Sequence, residues 1–121
     1  MDLRKEFERC KGWLEDALLY ANGTHDIDDV WQGIEEGRFL FWPGKNSAVI
    51  TEIYVYPKKK VFHIFLAGGN LEELLEMWDS IEIYAKVVGC SSLSVSGRKG
   101  WVRVLESRGA KHLCTTVAKD L

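Results

Sequence analysis

Apolar residues at Leu3, Phe7, Cys10, Leu14, Ala17 and Leu18 recur at helical spacing, which predicts an amphipathic helix over 2–21. Asn22 and Gly23, which tolerate left-handed backbone, end it. Thr24 or Asp26 caps a second helix that buries Ile27, Val30, Trp31 and Ile34 and stops at Gly37, with Asp28 and Asp29 at its positive end. Strand patterns follow. Residues 38–42 read as a short apolar strand, 43–46 as a turn, and 47–56 as a long β-branched and aromatic strand. Residues 57–60 turn back into a third strand over 61–66, giving an antiparallel meander. Leu71, Leu74, Leu75, Trp78, Ile81, Tyr84, Ala85 and Val88 form the buried stripe of a third helix, and Glu72, Glu73, Glu76, Asp79 and Glu82 form its wet face. A strand over 91–96, a helix opened by 97–101 and a last strand over 112–117 complete the chain.

Strands that alternate with helices through short glycine-bearing turns belong to an α/β fold. The expectation is a mixed, twisted sheet of about five strands with helices on both faces, a three-layer sandwich. At 121 residues the chain makes a single domain, 1–121, with the helix of segment 1–23 packed on it. Hydrophobic content of 46% and charged content of 28% suit a globular protein, and a net charge of −2 gives no global field toward nucleic acid or an anionic membrane. Three cysteines without C-x-x-C spacing argue against a disulfide framework or a zinc site and fit a reducing cytosol. No apolar run approaches a membrane span of about 20 residues. The first six residues are charged and helical rather than a signal peptide.

Several segments carry candidate chemistry. Gly68, Gly69 and Asn70 stand at a strand-to-helix junction, where backbone N–H groups can converge on an anion; the same residues also make a tight turn with Asn70 as N-cap. Arg98 and Lys99 open a helix against its macrodipole, which suggests an acidic partner, a phosphate or a carboxylate. Otherwise they are solvated and Trp101 fills the core. Lys58, Lys59 and Lys60 form a solvated hairpin turn or touch phosphates, but no aromatic residues interleave with them to stack bases. His63, in mid-strand, is a general-base candidate or a packed, hydrogen-bonded histidine. Glu52 lies in an otherwise apolar strand, where an inward carboxylate needs a partner and an outward one is the polar face. The cysteines read as small packed residues, and no three histidines or carboxylates share a metal-ligand spacing.

The element order resembles the GNAT N-acetyltransferase superfamily without its usual first strand, over roughly residues 24–118. That family closes with a helix reading N-x-x-A-x-x-x-Y-x-x-x-G-[FA] before a strand. Here the stretch 98–110 keeps the spacing to Gly109 but has Arg98 for the asparagine, Trp101 for the small residue, and Leu105 for the tyrosine that protonates the departing thiolate. The family's [RQ]-x-x-G-x-[GA] pyrophosphate loop is shortened to Ala67-Gly68-Gly69-Asn70, without a cation and followed by Glu72 and Glu73. The resemblance implies acetyl-coenzyme A held by Gly68, Gly69 and Asn70, and a base near Glu52.

The combination Thr24-His25-Asp26, Leu40-Phe41-Trp42-Pro43-Gly44, Ala67-Gly68-Gly69, Gly97-Arg98-Lys99-Gly100-Trp101 and Cys114-Thr115-Thr116 also looks like small tailed-phage and prophage proteins whose GNAT-like fold is degenerate. That resemblance implies a non-enzymatic role, with no cofactor, through contacts with other virion proteins or self-association, in the host cytoplasm or the particle. With the usual first strand absent, the apolar strand around Phe41 and Trp42 is expected near an open sheet edge; it and Arg98, Lys99 and Trp101 are the contact candidates. The alternative is a working acetyl-coenzyme A-dependent N-acetyltransferase with an atypical site. Neither a membrane nor nucleic acid is expected as a partner.

Overall fold

A computed structural model describes residues 2–121, so Met1 of the expected N-terminal segment lies outside it. Helix α1 (Leu3–Leu18) starts where the Asp2 side chain accepts the Lys5 N–H. Helix α2 (Ile27–Glu35) starts at Asp26 rather than Thr24, because Asp26 and Asp29 cap each other reciprocally. Strands β1 (Leu40–Pro43), β2 (Ser47–Val55) and β3 (Lys60–Gly69) form the expected meander. Helix α3 (Leu71–Val87) follows, capped by Asn70, whose side chain accepts the Glu73 N–H at 2.9 Å. Strand β4 (Ser92–Val95) and the short helix α4 (Gly100–Glu106) complete the regular structure.

The sheet runs β1-β2-β3-β4, antiparallel except for the parallel β3–β4 pair. It therefore has four strands, not five. The expected strand over 112–117 is an exposed segment without regular structure, because nothing in the chain lies alongside to complete its hydrogen bonds. Cys114 is accordingly exposed rather than packed, whereas Cys10 is buried. Strand β3 is longer than expected. Gly68 and Gly69 are part of it, paired with Ala48 and Ser47, rather than part of a loop.

Both sheet faces are covered. On one, Phe7, Cys10 and Leu14 of α1 and Val30 of α2 pack on Phe41, Ala48, Ile50 and Leu66. On the other, Leu74, Trp78, Ile81 and Ala85 of α3, with Leu105 of α4, pack on Val49, Phe62 and Ile64. The alternation along β2 assigns successive residues to opposite cores. Leu71 and Tyr84, expected within the buried stripe of α3, lie at its margins and are exposed. The Phe41 side chain is buried in the core. Trp42 is half-buried, donates its indole N–H to Thr51 Oγ1 at 2.9 Å and meets Tyr84 edge-on.

The β1–β2 turn is tied to both helical layers. From α1, the Arg9 guanidinium donates to the Gly44 and Lys45 carbonyl oxygens at 2.7 and 3.0 Å. From α3, the Glu73 carboxylate accepts the Asn46 N–H at 3.0 Å and the Ser47 hydroxyl. The Ser47 hydroxyl first, then the Asn46 N–H, hold the Glu73 carboxyl below its usual range. A carboxyl with a depressed folded-state pKa contributes stability above its unfolded value, about 4.3, that is lost as pH falls through the folded value. Glu73→Gln is therefore expected to melt at a lower temperature than the parent at pH 7, with the gap closing in strong acid; thermal denaturation across pH measures this.

Candidate functional site

β3 pairs with β4 only from Val61 to Ile64, opposite Ser92 to Val95. The Ser96 N–H reaches the Ile64 oxygen at 3.3 Å, and the two strands then part. β3 continues to Gly69, bonded to β2 on its other edge alone. At the parting point β3 also carries an extra residue. Ile50 and Thr51 of β2 face Leu66 and Ile64, so Phe65 bulges from the ladder. Phe65 and Leu66 consequently both turn to the α1 face.

The parting strands leave a cleft of ≈ 470 Å³, walled by Phe65 to Gly69, by Val95 to Arg98, by Trp101, and by Trp13, Asp16, Ala17 and Tyr20 at the end of α1. Arg98 brings a cation to this wall and lies over the Tyr20 ring at 5.0 Å. Lys99 is exposed at the start of α4 and makes no capping bond. Trp101 is half-buried against the α3 core, and with Ala67 and Val95 it separates the cleft from an apolar void of ≈ 20 Å³. Trp78 borders that void, and its indole N–H is buried without a partner. The void has too few polar neighbours to hold a water.

The glycines serve the fold before any ligand. A Cβ on Gly68 would overlap the Trp13 carbonyl oxygen, so its absence lets α1 lie against the sheet. Gly69 has φ of +113°, and a Cβ there would strike the Asn46 carbonyl oxygen. Asn70 is committed at both ends: its N–H donates to the Asn46 oxygen at 3.0 Å and its side chain caps α3. Within the first turn of α3, the N–H groups of Leu71 and Glu72 remain for an anion. The residues thus fit a coenzyme A thioester only in part: the cleft has volume for an extended chain and one cation, Arg98, at its wall, but no full pyrophosphate loop, and the N–H groups of Leu71 and Glu72 are not among the groups that line it.

A polar group adjoins the cleft on the same sheet face. His63, buried, shares a hydrogen bond with Ser94 across the parallel pair at 2.7 Å and stacks on Tyr54 at 5.1 Å. Glu52 faces His63 in the antiparallel register. It is half-buried, not outward as a plain polar face would be. Burial raises the Glu52 carboxyl above its usual range, against the opposing pull of the Tyr54 hydroxyl and the charges of His25 and Arg38. Burial pushes the His63 imidazole down. His25, from the α1–α2 connection, packs on Phe65 at 4.9 Å and links this group to the cleft wall.

The cleft wall brings together Gly68, Gly69, Arg98 and Trp101, while Glu52 and His63 face each other across β2 and β3 outside that wall. The structure leaves Lys99, Phe41 and Trp42 apart from them. Lys60, in the basic run, donates to the Val88 carbonyl oxygen at 2.6 Å and closes the end of α3. Tyr20, Tyr54 and Ser94 were not singled out by sequence. An exposed tyrosine just past the apolar stripe of α1 was the available signal for Tyr20; nothing marked the others. Among the described residues, no group of three or more His, Cys, Asp or Glu could hold a metal, and no helix is long and apolar enough to cross a membrane.

No protein-family model and no curated protein matches the sequence. Solved structures do match. A tetramutant of the BH1408 protein from Bacillus halodurans superposes with TM-score 0.65 at 13% identity, over 98% of this chain and 94% of that one. A GNAT family acetyltransferase from Staphylococcus aureus gives 0.64 at 10% identity, over 99% and 92%. An aminoglycoside acetyltransferase from an uncultured soil sample, solved with sisomicin, gives 0.65 at 13%, over 99% and 90%. At such identities the likeness is one of fold, and the fold is GNAT-like.

Because Gly68 abuts backbone, Gly68→Ala is expected to lower stability by about 1–3 kcal/mol without any ligand present. Chemical denaturation of the protein alone measures this. Unchanged stability would mean that α1 does not rest on this glycine.

Proposed function

We propose that this chain is an N-acyltransferase that takes an acyl group from a coenzyme A thioester in the β3–β4 cleft and passes it to an amine beside Glu52. The observation that carries the reading is the parting of β3 from β4 beyond Ile64, which leaves a cleft where an ordinary parallel pair would be closed. When bound, the thioester supplies an activated acyl carbon. The chain supplies the rest. Glu52, whose carboxyl burial holds above the usual range, accepts the proton of the attacking amine. His63, held neutral by burial, places no positive charge beside an incoming ammonium. Tyr20 lines the cleft, and its hydroxyl takes the place, as proton donor to the leaving thiolate, of the tyrosine absent at Leu105. Arg98, on the cleft wall, faces the phosphates.

A second reading keeps the fold as a scaffold: a phage or prophage protein acting by contact with virion proteins. One observation favours it. Gly68, Gly69 and Asn70 are consumed by contacts within the chain, and Leu105 is buried in the α3 core.

Calorimetric titration with acetyl-coenzyme A separates the two. Binding in the micromolar range, lost in Ser96→Trp, is expected, because Ser96 is an exposed part of the cleft wall whose enlargement fills the cleft and leaves the core alone. Absence of binding at millimolar ligand would move the weight to the scaffold.

Against a panel of amines, Glu52→Gln is expected to lower kcat by about 10²–10⁴-fold. The parent's rate should rise through a pKa above the ordinary glutamate value of about 4.3, and that limb should be missing in the variant. A retained limb would assign the base elsewhere.

A further inference from the structure

We propose that the end of the β2–β3 hairpin seats this protein on the surface of an anionic phospholipid bilayer, with Val55 and Tyr56 entering the headgroup layer and Lys58, Lys59 and Lys86 meeting its anionic groups. The proposal stands apart from the acyltransferase reading and starts from the strand register. β1 pairs with β2 only as far as Thr51, and β4 pairs with β3 only from Val61. The hairpin therefore projects beyond both neighbours, closed by the Tyr56 N–H, which donates to the Lys59 oxygen at 2.8 Å. At this tip Val55 is 78% and Tyr56 52% exposed, and Tyr54 meets Tyr56 edge-on at 5.9 Å. The apolar surface continues onto α3. Lys60, the register partner of Val55, donates to the Val88 oxygen at 2.6 Å and so holds the end of α3 against the hairpin. That end shows Val87 at 76% and Ile83 at 65% exposure. Exposed apolar residues scattered singly are ordinary, whereas a set gathered at one end of the molecule marks an interaction surface.

Charge identifies what covers this surface. Residues 53–60 hold three lysines and no acid. Lys58 and Lys59 are exposed and, among the described residues, in no ion pair, and Lys86 reaches Glu82 only at 3.9 Å. The net charge of −2 argues against a membrane for the chain as a whole, but its acids lie outside the hairpin. Salt confines what a charged surface feels to about 8–10 Å, so the local lysines decide. Shape points the same way. A projecting tip is convex and offers a peptide no groove. A bilayer takes up such a tip, with valine at the acyl boundary, tyrosine at headgroup level and lysines reaching the lipid phosphates. The cleft lies toward the other end of β3, at Phe65 to Gly69, so a seated molecule keeps it open to water.

The test is cosedimentation of the full chain with vesicles of equimolar phosphatidylserine and phosphatidylcholine, and with vesicles of phosphatidylcholine alone. The parent is expected to pellet with the first and not the second, and to be released by high salt. Lys59→Gln should weaken binding about fivefold. Val55→Ser should weaken it at unchanged charge, while far-UV circular dichroism stays that of the parent, because the side chain is exposed. Lys45→Gln makes the same change of charge beyond the opposite end of β2 and should bind as the parent does. A parent that pellets with neither vesicle, or equally with both, overturns the proposal. So does a Val55→Ser variant that binds like the parent, or a Lys45→Gln variant weakened as much as Lys59→Gln. Binding to polyglutamate without binding to vesicles would assign the surface to an acidic protein and also overturn it.

Discussion

The ten residues of β3 hold this molecule together, through an asymmetry in how their peptide groups are satisfied. From Val61 to Ile64 the strand is bonded on both edges, and its side chains are buried between two helical layers. From Phe65 to Gly69 it is bonded to β2 alone. Buried peptide groups that lack a partner cost about as much as a lost hydrogen bond, so the second half must keep its free edge toward water or a ligand. The cleft is therefore a consequence of ladder geometry. The Phe65 bulge bends the strand at this point, and Gly68 lets α1 close over the far end.

The polar side of the site depends on the same strand. His63 precedes the bulge by two residues and shares a face with Glu52, its partner on β2. Neither residue is unusual in a strand. What distinguishes them is their burial: His63 is buried and Glu52 half-buried, apart from the contacts of Phe7, Cys10 and Leu14 that seal the middle of this face. Partial burial of this kind moves a carboxyl and an imidazole in opposite directions, up for one and down for the other.

The molecule also shows how the same residue types can serve structure instead of chemistry. Two glycines and an asparagine at a strand-to-helix junction suggest a phosphate cradle. Here Gly68 admits a carbonyl of α1, Gly69 clears Asn46, and Asn70 caps α3. Glu73, one turn into that helix, directs its carboxylate to the β1–β2 turn, so part of the junction's capacity to bind an anion is met from within. Among the described residues, Arg98 is the one cation on the cleft wall.

Local periodicity determined the elements. The stripes of α1 and α3, the Asn70 cap and the meander of β1 to β3 were all legible, since amphipathic spacing and turn residues act over a few positions. Sequence also named most residues of the site, because a carboxylate or a histidine in an apolar strand is conspicuous. Two things it could not decide. It took Gly68 and Gly69 for a loop, since nothing local shows that Ala48 and Ser47 would pair with them. It took 112–117 for a strand, because strand propensity was present and a strand partner was not. The direction of Glu52, the burial of Phe41 and the role of Tyr20 as cleft wall were likewise settled only by which helix lies over which part of the sheet. A helix or a turn satisfies its own hydrogen bonds locally, whereas a strand, a cleft and a shifted pKa each need a second segment brought from elsewhere in the chain, and only tertiary packing supplies it.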